Sequence, residues 1–492
     1  MCDPKRHINP EPDKTFLILG DQGVTFAGMN RFASGGCGMI KRCKPLKPGD
    51  KVGILMTNGL PFVGSLLALM RMRLIAVPLN TRLTEPELRW QVGNANCRLV
   101  LCDSSTIAQA DGLGVDVLEL RQQSYIEPQS EYNDYGWMNL DDDFAIIHTS
   151  GTSGRPKAAI LTYGNVYRSA RGSAKLLGHL ENERWLCVLP LYHVGGLSII
   201  LRSLIYDTAV EFGPTAPFDV DETNRTLSAN PITLVSLAPT MLQRLLDAKT
   251  RPWNPQLRLI LLGGEAPSPE LVERCIAEEL PIATTYGLTE AASQVATALP
   301  DLVGRKPGTV GKALNCAKVR IIDERGADAP PGVPGEVLVS GDTVMRGYYG
   351  DPAATAAALR DGWLHTGDTG YLDEDDDLFI LQRRSDLIVS GGENIYPAEV
   401  ERALRKHPDL SEAVVLGLPD EEWGQRVVAV AQTAVGASAS EEQIRGFLRE
   451  RLASYKVPRQ IVLVDALPLT ASGKIQRRAA RRLFEDAISC RE

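Results

Sequence analysis

The stretch Thr149-Ser-Gly-Thr-Ser-Gly-Arg-Pro-Lys157 has the chain's densest set of groups able to hold an anion. Four hydroxyls (Thr149, Ser150, Thr152, Ser153), two glycines (Gly151, Gly154) and two cations (Arg155, Lys157) follow directly on the apolar run Phe144–His148. Glycines let backbone N–H groups turn into a concave cradle, and hydroxyls and cations add donors, so the chemistry indicated is phosphate binding. The spacing Gly151-x-x-Gly154-x-x-Lys157 is not that of a Walker loop, and no Gly-x-Gly-x-x-Gly follows a strand. A second notable residue is Arg202, the one cation in the apolar run Gly196–Tyr206, GLSIILRSLIY. A buried cation is costly unless an anion meets it. That anion could be a structural carboxylate or a ligand, and the side chain could also snorkel to solvent.

These residues need a frame. Val52–Met56, Ala76–Leu79, Arg98–Cys102, Phe144–His148, Leu186–Leu189, Ile232–Leu237 and Leu257–Leu262 read as buried strands. Helix-length amphipathic segments such as Pro269–Leu280 separate them, which is the alternation of an α/β domain with largely parallel sheets. From about residue 310, Val319–Ile322, Gly335–Ser340 and Gly362–Leu381 read as an antiparallel meander, with Asp373–Asp377 as a solvated acidic turn rather than a metal site. After Arg384 the texture changes again. Helices are expected at Pro397–Lys406 and Glu441–Ala453, with strands at Val414–Gly417 and Val427–Gln432.

The 492 residues are 44% apolar and 23% charged, an ordinary globular composition that excludes collagen, coiled coil and disorder. With 53 Lys+Arg against 61 Asp+Glu the net charge is −8, so no global field draws in nucleic acid or an anionic membrane. The nine cysteines include no Cys-x-x-Cys pair and read as reduced core thiols. The N-terminus lacks a signal peptide's apolar stretch, and Arg71 and Arg73 break the apolar segment Leu60–Leu79. A cytoplasmic protein without membrane insertion is expected, one that could form a homo-oligomer.

Seven further motifs follow or flank the loop: Pro190-Leu-Tyr-His193-Val-Gly-Gly, Gly263-Gly-Glu265, Tyr286-Gly-Leu-Thr-Glu290, Gly362-Trp-Leu-His-Thr-Gly-Asp368, Arg383-Arg-Ser-Asp386, Gly391-Gly-Glu-Asn394 and Pro468-Leu-Thr-Ala-Ser-Gly-Lys474. Together and in this order they resemble the adenylate-forming superfamily of acyl-CoA synthetases, luciferases and peptide-synthetase adenylation domains. Departures are small: Ser153, Arg155 and Gln382 stand where Thr, Lys and Gly are common.

The resemblance implies a large N-terminal domain, 1–384, of two doubly wound subdomains plus a small β-barrel-like subdomain over about 310–384. A mobile α+β C-terminal domain, 385–492, would follow, hinged at Ser385 and Asp386. It implies ATP and Mg2+ as cofactors, with CoA as co-substrate and a small-molecule acid as partner. Lys474 would bridge the acid and the α-phosphate, and Glu290 would associate with magnesium. Thr289 would donate to the α-phosphate. Thr285, Tyr286 and Gly287 would face Gly263, Gly264 and Glu265 across the adenine slot. Asp368, helped by Arg383, would take the ribose hydroxyls. Gly391 and Gly392 would admit pantetheine, and His193 would line the acyl and thiol site. His148 and His365 are read as structural.

Within that family the run Leu189–Tyr206 looks closest to the o-succinylbenzoate–CoA ligases, in which an Arg nine residues after the motif histidine takes a second substrate carboxylate. His193 and Arg202 have that spacing, and Ser293 and Gln294 resemble the same branch's acyl pocket. The nearest alternative keeps the chemistry with a fatty, aryl or dicarboxylic acid. An NTP-driven kinase or ATPase, or a binding protein on a degenerate ligase fold, are the other classes.

Overall fold

A computed structural model describes residues 5–7, 10–121, 137–149, 156–214, 218–382, 387–434, 437, 439–468 and 475–489. The chain divides into two compact units. The first is Met1–Thr81, Arg89–His148 and Ala158–Arg383; the second is Arg82–Leu88, Thr149–Lys157 and Arg384–Glu492.

Two large sheets organise the first unit. In the seven-stranded one, Gly347–Tyr348, Lys157–Thr162, Asp143–Thr149, Ile75–Pro78, Lys51–Leu55, Cys97–Cys102 and Asp116–Glu119 lie side by side. From Ile75–Pro78 to Asp116–Glu119 the pairs are parallel. The nine-stranded sheet runs Lys312–Ala313, Ser293–Ala298, Ile282–Leu288, Leu259–Leu262, Leu234–Leu237, Arg184–Cys187, Ala209–Phe212, Thr15–Leu19 and Gln22–Thr25. Its middle is parallel and its two margins antiparallel.

Period-two alternation explains why its strands read as unbroken apolar runs. Leu259 and Leu261 face one core while Ile260 and Leu262 face another. Trp185 and Cys187 likewise oppose Leu186 and Val188. A strand buried on both faces has no polar side to show. Each expected strand in this region is present, with ends shifted by a residue or two.

The β-rich portion is a five-stranded antiparallel sheet built on Ala317–Ile322, Gly335–Gly341 and Trp363–Leu372. Its acidic turn is not simply solvated. Lys306 Nζ lies 2.7, 2.6 and 2.7 Å from Asp373, Asp375 and Asp377, so a lysine stands where a cation would.

In the second unit Gly424–Thr433 pairs with Leu410–Asp420 and Gln460–Val464. Both faces of this sheet are covered: Val427, Ala429 and Ala431 enter one apolar cluster, Val428 and Val430 the other. The helices Pro397–Leu404 and Glu441–Arg449 fall where they were expected, the second held by a capping box between Ser440 and Gln443.

Among the described residues no helix is long and apolar enough to cross a membrane. Burial pushes the thiols of Cys97 and Cys187 up to about 12, which suits inert packing residues.

Candidate active site

Strand ends deliver most of the expected residues. Ile282–Leu288 carries Thr285, Tyr286 and Gly287, a 3₁₀ turn carries Thr289 and Glu290, and Ser293–Ala298 returns antiparallel with Ser293 and Gln294. The tight return depends on glycine. A Cβ on Gly287 would stand 2.1 Å from the Ser293 carbonyl oxygen, at a point where the register shifts. Across the neighbouring strand end, a Cβ on Gly263 would meet Thr285 Cγ2 at 2.9 Å, so that wall also closes only around glycine. Gly264 follows at φ +92°, and Glu265 is half-buried beside it.

Two carboxylates sit in this region under different control. Asp368, buried on Trp363–Leu372, accepts the Tyr286 hydroxyl at 2.6 Å. Its own N–H donates to Thr366 Oγ1, which donates onward to the Val337 carbonyl, so the carboxylate is braced from both sides. Glu290 is only 8% exposed, and its Oε1 accepts the Tyr348 hydroxyl at 2.9 Å. Among the described residues no cation pairs with Glu290. A buried carboxylate with hard oxygen donors and no lysine or arginine fits a divalent cation such as Mg2+.

The opposite case is Arg202. It lies on the helix Val194–Tyr206, is 4% exposed, and its Nε and Nη2 are buried with no hydrogen-bond partner. Loss of water pushes its guanidinium down to about 10. Its planar group lies 5.4 Å from the Trp185 ring, a weak substitute for an anion. Snorkelling is therefore ruled out, and among the described residues no carboxylate pairs with it. A small pocket opens there, lined by Val166, Ala170, Leu197, Ser198 and Ala292 besides Arg202 itself.

Ser198, one turn before Arg202, donates to the Gly195 carbonyl and reaches Ser293 Oγ at 3.4 Å. Ser293 is thus at the same place, with a strained φ of +92°. Gln294 is buried, donates to Thr297 Oγ1, and leaves its Oε1 without a partner.

His193 caps the Arg202 helix with its backbone, while its ring meets Tyr192 edge-on at 4.7 Å. The turn before it is fixed by Asn58, which the sequence reading did not single out. Its amide donates to the Leu189 carbonyl at 2.8 Å and accepts the Leu191 N–H at 2.9 Å. Asn58→Asp keeps the acceptor and loses the donor. It is expected to lower the unfolding free energy by about 1–3 kcal/mol, the cost of stranding a buried carbonyl, read by chemical denaturation. An unchanged midpoint would mean the turn needs no such clamp.

In the second unit Gly391 and Gly392, at φ +58° and +80°, form the two-residue turn between Ile388–Ser390 and Glu393–Ile395. A Cβ on Gly391 would lie 2.6 Å from the Trp423 ring, so packing alone already requires glycine there. Thr149 and Lys157 end and begin adjacent strands, and Thr149 Oγ1 approaches the Lys157 carbonyl at 3.4 Å. Ser150, Gly151, Thr152, Ser153, Gly154, Arg383, Ser385, Asp386 and Lys474 lie outside the described residues. His148 bonds Asn94, and His365 Nδ1 lies 3.2 Å from Glu336.

Comparison with known proteins places the whole chain. Residues 5–349 match the AMP-binding enzyme family, and residues 399–474 match the AMP-binding enzyme C-terminal domain. A 2-succinylbenzoate–CoA ligase from Bacillus cereus is 39% identical over 96% of both chains. A double mutant of o-succinylbenzoate CoA synthetase (MenE) from Bacillus subtilis, bound to the product analogue OSB-NCoA, superposes with a TM-score of 0.90. It is 35% identical, over 96% of each chain. The Bacillus subtilis enzyme with ATP and magnesium gives 0.72 at 35% identity, over 95% of this chain and 96% of that one. The chain thus has full-length relatives in sequence and in structure, and it belongs to the AMP-binding enzyme family.

Proposed function

We propose that the chain is an ATP-dependent acid–CoA ligase working through an acyl-adenylate. Its acid is 2-succinylbenzoate, and its products are 2-succinylbenzoyl-CoA, AMP and diphosphate, a step of menaquinone biosynthesis. The observation that carries the choice of acid is Arg202, a buried guanidinium with no anionic partner among the described residues. A substrate with two carboxylates supplies one to be activated and one to neutralise that charge. The family membership and the named relatives support the same reading.

In the first step an oxygen of the succinyl carboxylate attacks the α-phosphorus of ATP, and the bond to diphosphate breaks. Magnesium, held by Glu290, would offset the charge gathering on the phosphates. Thr289 and the Thr149–Lys157 loop would donate to phosphate oxygens, and Lys474 would bring carboxylate and α-phosphate together. Asp368 would anchor the ribose, with Tyr286 holding the carboxylate in place. In the second step the CoA sulfur attacks the acyl carbonyl carbon, the thiol proton is lost, and AMP leaves. His193 would position the acid, and Ser293 and Gln294 would complete its pocket. The C-terminal domain, hinged at Ser385 and Asp386, would withdraw Lys474 between the steps. A cytoplasmic location suits substrates such as ATP and CoA.

A panel of acids assayed for CoA-ester and AMP formation tests this. We expect kcat/KM for 2-succinylbenzoate to exceed that for benzoate, succinate and a medium-chain fatty acid by at least about 100-fold, the discrimination a buried polar contact gives. Preference for a monocarboxylate would overturn the choice of acid, and ADP as product would overturn the mechanism.

A further inference from the structure

The segment Met345–Tyr349 touches the Glu290 turn twice. The Met345 N–H donates to the Glu290 carbonyl at 2.8 Å, and the Tyr348 hydroxyl donates to its Oε1 at 2.9 Å. The same segment is fixed to the strand that begins at Lys157. The Arg346 N–H bonds the Ile160 carbonyl at 3.0 Å, and the Tyr349 N–H bonds the Ala158 carbonyl at 2.7 Å. Asn165 holds its approach through the Asp342 and Val344 carbonyls, and the Tyr348 N–H bonds Thr355 Oγ1. Gly347, at φ +152° with Thr355 Cγ2 only 2.8 Å from where a Cβ would stand, lets the chain pass. Tyr348 is itself buried.

From this arrangement we propose that Tyr348 is the positioning residue that sets the Glu290 carboxylate for its metal ion. The proposal rests on the reading of Glu290 as the magnesium-associated group. A hydroxyl donating to one carboxylate oxygen fixes the plane of the group. The strut thus ties the Glu290 turn to the strand Lys157–Thr162. In this role Tyr348 acts through Glu290, whose Oε1 its hydroxyl meets.

The test is Tyr348→Phe, which keeps the ring and the backbone bonds and removes one oxygen. In the full-length protein, Mn2+ affinity is read by electron paramagnetic resonance with the unreactive α,β-methylene-ATP, and the Mg2+ dependence of adenylation by diphosphate release from ATP itself. Both apparent metal constants are expected to weaken about ten-fold, as for other groups that orient a metal ligand. Excess Mg2+ should restore most of kcat, and KM for the acid should not move. In a Glu290→Gln background the same change should have no further effect. Tyr348→Phe with unaltered metal constants, beside a Glu290→Gln that weakens them, would overturn the role of Tyr348 alone. Unaltered constants in both variants would remove the reading of Glu290 as well. A melting curve matched to the parent separates either result from misfolding.

Discussion

Replacing Arg202 with methionine is expected to raise the melting temperature of the ligand-free protein while lowering kcat/KM for 2-succinylbenzoate at least about 100-fold. The two effects have one cause. In the unliganded chain the guanidinium is stripped of water with no anion in return among the described residues, and such a charge costs several kcal/mol. Methionine has similar length and no charge, and its neighbours Leu197, Leu201 and Trp185 are apolar. Removing the charge relieves the free state. When the diacid binds, the balance reverses, because its aromatic carboxylate then enters a site with no cation, a loss of about 2–5 kcal/mol. Differential scanning calorimetry without ligand and steady-state kinetics with 2-succinylbenzoate and benzoate read both halves. A fall in melting temperature would mean that Arg202 has a structural partner. Unchanged selectivity would mean that the substrate does not reach it.

This site was legible in the sequence to the extent that its chemistry was local. Arg202 stood out because a single cation interrupted an apolar helix, and the burial that such a helix demands is what the structure has. The central strands were legible for the related reason that both their faces are covered. Long-range pairing was not legible. Thr15–Leu19 joins the nine-stranded sheet beside Ala209–Phe212, nearly two hundred residues away, and no pattern within a strand of five residues encodes that neighbour. Tyr348 and Asn58 escaped for a similar reason. Gly347-Tyr-Tyr-Gly350 and Thr57-Asn-Gly59 have the composition of ordinary turns, and only the fold brings Glu290 to one and the Leu189–Leu191 turn to the other. The acidic turn was misjudged because its counter-ion, Lys306, lies about seventy residues upstream.

The second large effect concerns Asp368. Asp368→Ala is expected to reduce kcat/KM for ATP by about 10²–10⁴-fold and to abolish the preference for ATP over 2′-deoxy-ATP. A carboxylate offers acceptors for two neighbouring hydroxyls, and each hydrogen bond to a charged group contributes about 1.5–3 kcal/mol, so the loss of two spans that range. Geometry argues that Asp368 is ready before the nucleotide arrives: Tyr286 takes one oxygen from the core side and Thr366 fixes the backbone, so little reorganisation remains. Tyr286→Phe should therefore act in the same direction and more weakly, about ten-fold, because the carboxylate survives but loses its brace. The comparison with 2′-deoxy-ATP makes the assignment specific. A general weakening of the fold would depress both nucleotides alike, whereas loss of a ribose contact removes the difference between them. Should Asp368→Ala retain the full preference for ATP, the ribose is held elsewhere, and the Tyr286–Asp368 bond is a core contact joining two sheets.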